Sequence, residues 1–461
     1  MKVRALRTGL ASFAVVVALT GSAVASRGAE VPNIPGEREL VVLRNGTRVL
    51  LCRDTTSSMV DLAVWYDAGI RREPLERAGL AAVCQRLMFA GSPRFPAGEH
   101  LRRVGAMGGD VGALVAGDYA CYFQTVPESG LEIVMQLEAD RMGTVPIDAA
   151  HLELARQALR IERRQPAAAA PLALGLRALY GSAFLQHPYR HPVLADDAAV
   201  AALTVKEVQE WYRTHYAPRR ALITIVGRFD RARALALAHQ YFEPLRSSAG
   251  AEPKAPAPDP EPNAERRSRQ SINVPFHVVL LGWRGPGAGD PDLAPLLVIS
   301  QVLSGRDQGR LEHGLKARLA SVFMTGGDFE VRKDASMLFC AIGIDQAGDS
   351  ARAEHELVAE VERIGRDGVN ADELDRAKRS IESRLVFDWL PVRTRALALA
   401  GSEFFNGDAA LVARDLERVL EVTTADVQRA SDRWLHGRRR NVAWLYPAAP
   451  SSRPSAPRGG Q

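Results

Sequence analysis

Gly79-Leu80-Ala81-Ala82-Val83-Cys84-Gln85-Arg86-Leu87-Met88-Phe89-Ala90-Gly91-Ser92 is the stretch from which the fold of this chain is read. Leu80, Val83, Leu87 and Met88 recur at helical spacing and give a helix with one apolar face. Ala82 and Arg86, four residues apart, share a face of that helix. Upstream, Val60-x-Leu62-x-Val64 alternates with the period of a strand, and Leu40 to Cys52 is a hairpin candidate around Asn45-Gly46. Strand-like and helical segments mixed in this way predict an α+β fold, a sheet with helices on one face.

The same organisation recurs further along. An apolar strand ending in Trp runs from Val60 to Trp65 and again from Val278 to Trp283. Thr204-x-x-Glu207 matches the capping box of a helix start, and Thr423-x-x-Asp426 is its weaker Asp variant. Arg219-Arg220 precedes Leu222 to Val226, and Arg438-Arg439 precedes Val442 to Leu445. Three landmarks repeating at an offset of 218 or 219 residues argue for an internal duplication. Between the copies, Ser247 to Glu265 carries Pro253, Pro256, Pro258, Pro260 and Pro262. So much proline excludes a helix or a central strand and predicts an extended linker.

Hydrophobic residues make up 46% and charged residues 25% of the 461, which is globular composition with length for two to four domains. Lys2, Arg4 and Arg7 precede an apolar run from Leu10 to Leu19, and Ala23-Val24-Ala25 follows. That order predicts a signal peptide over residues 1–25, cleaved before Ser26, and a periplasmic or secreted mature chain. The apolar run is too short to span a bilayer, and no later segment is long and apolar enough, so no membrane span is expected. Removing those three positives from the formal net charge of +5 leaves +2, which gives nucleic-acid binding no support. Arg266-Arg267 and Arg439-Arg440 read as solvated ends of elements. Cys52, Cys84, Cys121 and Cys340 lack C-x-x-C spacing, and sequence alone cannot pair them.

Taken together, the motifs resemble the insulinase/pitrilysin metallopeptidases, the family that includes the mitochondrial processing peptidase. Leu43-Arg44-Asn45-Gly46-Thr47-Arg48-Val49 resembles the family's opening hairpin. Gly79-Leu80-Ala81 leads into its active-site helix, Gly108-Gly109, Asp118-Tyr119 and Thr125-Val126-Pro127 resemble the strands that follow, and His187-Pro188-Tyr189 and Val226-Gly227 continue the pattern. Gly282-Trp283-Arg284-Gly285-Pro286-Gly287 and Asp290-Pro291 are similar to its C-terminal domain. The resemblance implies two homologous processing-peptidase-like domains, residues 37–246 and 266–447, joined by a Pro-rich linker at 247–265 that permits hinge opening, with a disordered tail at 448–461.

In that family the helix reads Gly-Leu-Ala-His-x-x-Glu-His. Its two His bind zinc and its Glu is the general base. The corresponding residues here are Ala82, Gln85 and Arg86. Ala offers no lone pair, the Gln amide takes no proton from water, and Arg stays cationic and repels a metal. The third ligand is a Glu roughly 75 residues on, which falls on Glu162, with Ile161 one position off. Alone, Glu162 reads as a helix-surface charge among Arg160, Arg163 and Arg164. Relatives also carry an Arg and a Tyr, seven apart, that grip substrate. Without a gap these are Lys316 and Phe323, and a shifted alignment puts Ser321 at the Tyr position. Lys lacks the guanidinium fork and Phe the hydroxyl. Where the family has Asn-Ala, this chain has Gly112-Ala113.

Replacement machinery is missing. His187 and His191 lie in a Pro-containing turn, His355-Glu356-x-x-Ala359 fails at its second His, and no G-x-S-x-G, Walker or Rossmann motif occurs. The resemblance therefore implies a catalytically inactive family member with no zinc expected, paired with an H-x-x-E-H-bearing homologous subunit around unfolded or extended peptides. The alternatives are a stand-alone peptide-binding or chaperone-like protein, and a zinc endopeptidase with atypical ligands.

Overall fold

The computed structural model describes residues 34–165, 170–247, 253–305 and 308–448. The expected signal peptide and nearly all of the expected tail lie outside them. A first sheet is built from β1 (Glu37–Val42), β2 (Arg48–Arg53), β3 (Met59–Tyr66), β4 (Asp110–Val115), β5 (Ala120–Pro127) and β6 (Ala221–Gly227), in the order β1-β2-β6-β3-β5-β4. A second contains β7 (Arg266–Ile272), β8 (Phe276–Arg284), β9 (Val322–Glu330), β10 (Met337–Asp345) and β11 (Arg440–Pro447), in the order β7-β11-β8-β10-β9. Without β1 the two orders coincide strand for strand, and in each sheet only the β2–β6 or β7–β11 pair is parallel. This is the α+β duplication expected from the repeated landmarks. Asn45-Gly46 makes the β1–β2 turn, with Gly46 at φ +87°, and Asn45 Oδ1 accepts the Thr47 amide at 3.1 Å. Both predicted helix starts carry full capping boxes, the Asp variant at Thr423 included.

One expectation needs correction: helices cover both faces of each sheet. β3 is buried along nearly its whole length. Val60, Leu62 and Val64 face the core made with Leu80–Leu87, Leu131–Thr144 and Val205–His215. Ala63 and Trp65 face the other way, under the helix Val392–Asn406 of the second half, among Ala396, Leu399 and Ala400. The first half returns the arrangement. Its helix Pro171–Ala183 covers the outer face of the second sheet through Leu179 and Tyr180, against Val278, Leu280 and Leu445. The approach is close: a Cβ on Gly175 would collide with Leu280, and one on Gly282 with Leu179. A sheet with apolar residues on both faces must be covered on both, and each half does this for the other.

The described part of the Pro-rich linker lies along the fold as an extended strap. Pro253, Pro256, Asp259 and Pro262 are partly buried at every third residue, with more exposed residues between, the period of a polyproline helix. Asp259 pairs with Arg284 at 3.3 Å, both side chains buried, and accepts the amides of Leu185 at 3.0 Å and Gln186 at 2.6 Å. The basic pairs at the element ends are also ion-paired: Arg267 with Glu354, Arg439 with Glu261, and Arg440 with Glu265. Among the described residues no helix is long and apolar enough to cross a membrane.

Candidate functional site

The helix Leu80–Leu87 starts from Gly79 in the left-handed region, φ +100°, where a Cβ would crowd Val200 at 3.0 Å and Ala195 at 3.1 Å. Its first amides are capped from a distance: Glu73 Oε1 accepts Gly79 N at 3.1 Å and Ala81 N at 2.9 Å. Burial pushes the Glu73 carboxyl up to about 7 despite those bonds. Leu80, Ala81, Ala82, Val83, Cys84 and Leu87 are buried, while Gln85 and Arg86 are partly exposed.

Against this helix lies Ala149–Arg163, capped by Asp148, which accepts His151 N at 2.9 Å, and buried through Leu152, Ala155 and Leu159. The two helices bring together two of the sequence-predicted positions: Arg86 forms an ion pair with Glu162 through Nη2. The side chains are 32% and 34% exposed, whereas Ile161 is 64% exposed. Glu162, not its neighbour, therefore faces the metal-motif helix. The Glu162 carboxylate is engaged by a cation and is not a free helix-surface charge.

These residues do not fit zinc. A catalytic zinc site needs three protein donors, and the set here is a methyl group, a carboxamide, a guanidinium and one carboxylate already paired. Cys84 is on the same helix, but it is buried in the domain core, where burial raises its thiol pKa. Among the described residues no group of three or more His, Cys, Asp or Glu is placed to hold a metal ion.

The flanking positions are filled from within the chain. Gly112 lies on the edge strand β4, and a Cβ there would fall 2.7 Å from the Phe123 ring, which Arg393 covers at 4.4 Å. The Asn of the family pattern would fit there only if the Phe123 ring shifted. In the second half, Lys316 Nζ bonds Glu312 at 2.6 Å, and Glu312 also accepts from Thr325 Oγ1 at 2.7 Å. Phe323, 40% exposed at the start of β9, packs edge-on to Phe276 at 5.2 Å and lies over Gly343. Ser321 instead accepts the Asp345 amide on its carbonyl at 2.9 Å. No hydrogen bond, ion pair or ring contact among the described residues joins Lys316 or Phe323 to Arg86 or Glu162.

His187 and His191 do not converge. His187 Nε2 lies 2.9 Å from Asp334 Oδ2, and its Nδ1 accepts Tyr189 N at 3.1 Å, while His191 lies apart and burial lowers its pKa. Asp334 also takes Arg71 at 2.5 and 3.0 Å. Burial pushes its carboxyl up, but His187 and Arg71 outweigh that and hold it at about 2. Tyr189 OH donates to Asp118, which also accepts Lys333 N at 3.1 Å. These family landmarks thus form one polar knot between the halves. His355 is exposed, and Glu356 pairs with Arg318 at 3.6 Å. Glu73, which no motif marks, had no readable signal in the sequence; the family pattern implied that positions 86 and 162 lie together, but not that they form an ion pair.

Comparison with known proteins agrees with this layout. Residues 48–197 match the family model described as insulinase (peptidase family M16), and residues 202–381 match that described as peptidase M16 inactive domain. A zinc protease of Helicobacter pylori, PqqE, is 22% identical over 418 residues, spanning 89% of this chain and 93% of that protein. The crystal structure of a protease from Helicobacter pylori superposes with a TM-score of 0.84 at 21% identity, covering 90% of this chain and all of that one. A peptidase M16 inactive domain from Pseudomonas fluorescens superposes with a TM-score of 0.78 at 18% identity, over 90% and 98%.

Proposed function

Because this chain belongs to the insulinase (M16) peptidase family yet carries an ion pair where the family pattern sets its metal ligands, we propose that it is a catalytically inactive subunit. It completes the peptide-binding chamber of a zinc metallopeptidase whose other chain bears H-x-x-E-H. The observation that carries this reading is the Arg86–Glu162 pair beside buried Ala82. A guanidinium neither polarises a carbonyl as zinc does nor activates water, and Gln85 takes no proton. The helix and its sheet still share one buried apolar core, which suits a chain kept for its shape.

The mutual covering of the two sheets supports the same assignment. Each half is roofed by the other's helix and the linker is pinned at Asp259, an arrangement that suits a chamber completed by a second body rather than by opening between these halves. The compartment belongs to the proposal too: the basic and apolar opening of the sequence, Lys2 to Leu19, directs the chain out of the cytoplasm to a periplasmic partner. Zinc is no part of this chain's share.

The test is purification of the tagged full chain from its native envelope fraction, with metal analysis and mass spectrometry. A stoichiometric H-x-x-E-H-bearing partner, with zinc following that partner, is the expected result. Zinc near one equivalent on the isolated chain, with hydrolysis of unstructured peptides, would overturn it. A lone, zinc-free chain retaining extended peptides would instead support a stand-alone binding protein, which could use the edges of β4 and β9 to add a strand.

A further inference from the structure

We propose that the Arg86–Glu162 pair is a working substitute for a metal cross-link: a fixed cation joins the two helices that the family pattern joins through zinc, and the same cation keeps zinc out. The local electrostatics support this over a chance contact. Arg86 lies in the last turn of Leu80–Leu87, where a cation complements the helix dipole. Glu162 lies in the last turn of Ala149–Arg163, where a carboxylate opposes it, so Glu162 needs a cation from elsewhere. Its helix neighbours are committed to other partners: Arg163 bonds Asp197 and the Ala195 carbonyl, and Arg160 lies 3.7 Å from Asp197. Arg86 meets that need from across the helix interface.

Other features fit a cross-link. Arg86 Nε is buried without a hydrogen-bond partner, a cost that the Nη2 bond to Glu162 offsets. Ala82, on the same helix face, is 2% exposed and leaves no donor that competes for Glu162. A divalent ion would have to displace a neighbour of like charge from the one carboxylate present. This inference goes beyond the subunit role and does not depend on a partner, because the cross-link lies within one chain.

The test is hydrogen exchange of the full-length protein, comparing wild type with Arg86→Met, Glu162→Gln and the double variant, each with chelator and with a tenfold excess of zinc. Both residues are about one-third exposed, so loss of either should raise exchange in Leu80–Leu87 and the last turns of Ala149–Arg163 only about two- to fivefold. The fold survives such a change. The double variant should exchange no faster than the worse single, because both remove one interaction. Zinc should leave wild-type rates unchanged. Wild-type exchange in both single variants, additive acceleration in the double, or zinc-dependent protection of the wild type would each overturn the proposal.

Discussion

Glu73→Gln should flatten the pH dependence of stability in a predictable window. The Glu73 carboxyl is 3% exposed and titrates at about 7 in the folded protein, against an ordinary value of 4.5. A carboxyl whose folded value is raised adds stability that is complete below the ordinary value and is lost as pH climbs through the folded one. A tenfold change in proton affinity corresponds to about 1.4 kcal/mol, so between pH 5 and pH 8 the wild type forfeits about 2–3 kcal/mol at this position. Gln does not titrate, and its carbonyl oxygen can still accept from Gly79 and Ala81. Its amide nitrogen falls where Glu73 Oε2 has no partner, a cost of about 1–3 kcal/mol that does not vary with pH. Asp61, raised to about 6, and His100 and His215, lowered to about 2 and about 4, titrate in both proteins and cancel in the difference. Urea denaturation of both proteins at pH 5 and pH 8 is the assay. The variant should gain about 2–3 kcal/mol on wild type between the two pH values. Parallel pH profiles would refute the buried, helix-capping carboxyl.

Packing at three other places sets further expectations. The triple variant Ala82→His, Gln85→Glu, Arg86→His, with Glu162 left in place, should bind zinc weakly and turn over poorly, because Phe123 still fills the Gly112 position and Phe323 still packs on Phe276. Zinc titration and peptide hydrolysis check it, and turnover equal to an intact relative would show that only the helix differs. Gly175→Ala should destabilise the helix-over-sheet contact by about 1–3 kcal/mol through its clash with Leu280, read as a lowered urea midpoint. Asp259→Ala leaves Arg284 and two amides without their buried partner and should cost about 3 kcal/mol, while exposing the linker to protease.

Local chemistry made much of the fold legible. Asn45-Gly46 specified its turn, Thr204 and Thr423 their caps, and the repeated Trp-ended strands the duplication. Exchange of the covering helices was not legible, because a run such as Met59–Tyr66 says that both faces are buried but not which chain segment covers the second. At the site, the identities of Ala82, Gln85 and Arg86 were the basis for expecting no metal chemistry there. The resemblance set Glu162 beside position 86, but the ion pair was not foreseen, because Glu162 alone looks like one surface charge among arginines. Glu73 was missed for a similar reason, since capping from outside the helix leaves no box motif at its start.

The substitutions at the site differ from random decay in one physical respect. A position that loses its role without compensation leaves an unpaired charge, an unsatisfied polar group or a void, and each of these is costly. Here the residues that depart from the family pattern have partners within the chain, although Arg86 Nε stays buried without a hydrogen bond. Arg86 holds Glu162, Phe123 fills the space over Gly112, Glu312 binds Lys316, and Phe276 supports Phe323. Meanwhile the knot of Asp118, Tyr189, His187, Arg71 and Asp334 that ties the halves together keeps its hydrogen bonds. On the proposed reading, the positions that would touch metal or peptide are closed by partners within the chain, while the residues that set the shape of the two-domain body remain bonded. That combination is what a chain needs if its value lies in the surface it presents. It would be superfluous in a zinc enzyme with unusual ligands, whose site must keep open donors rather than close them.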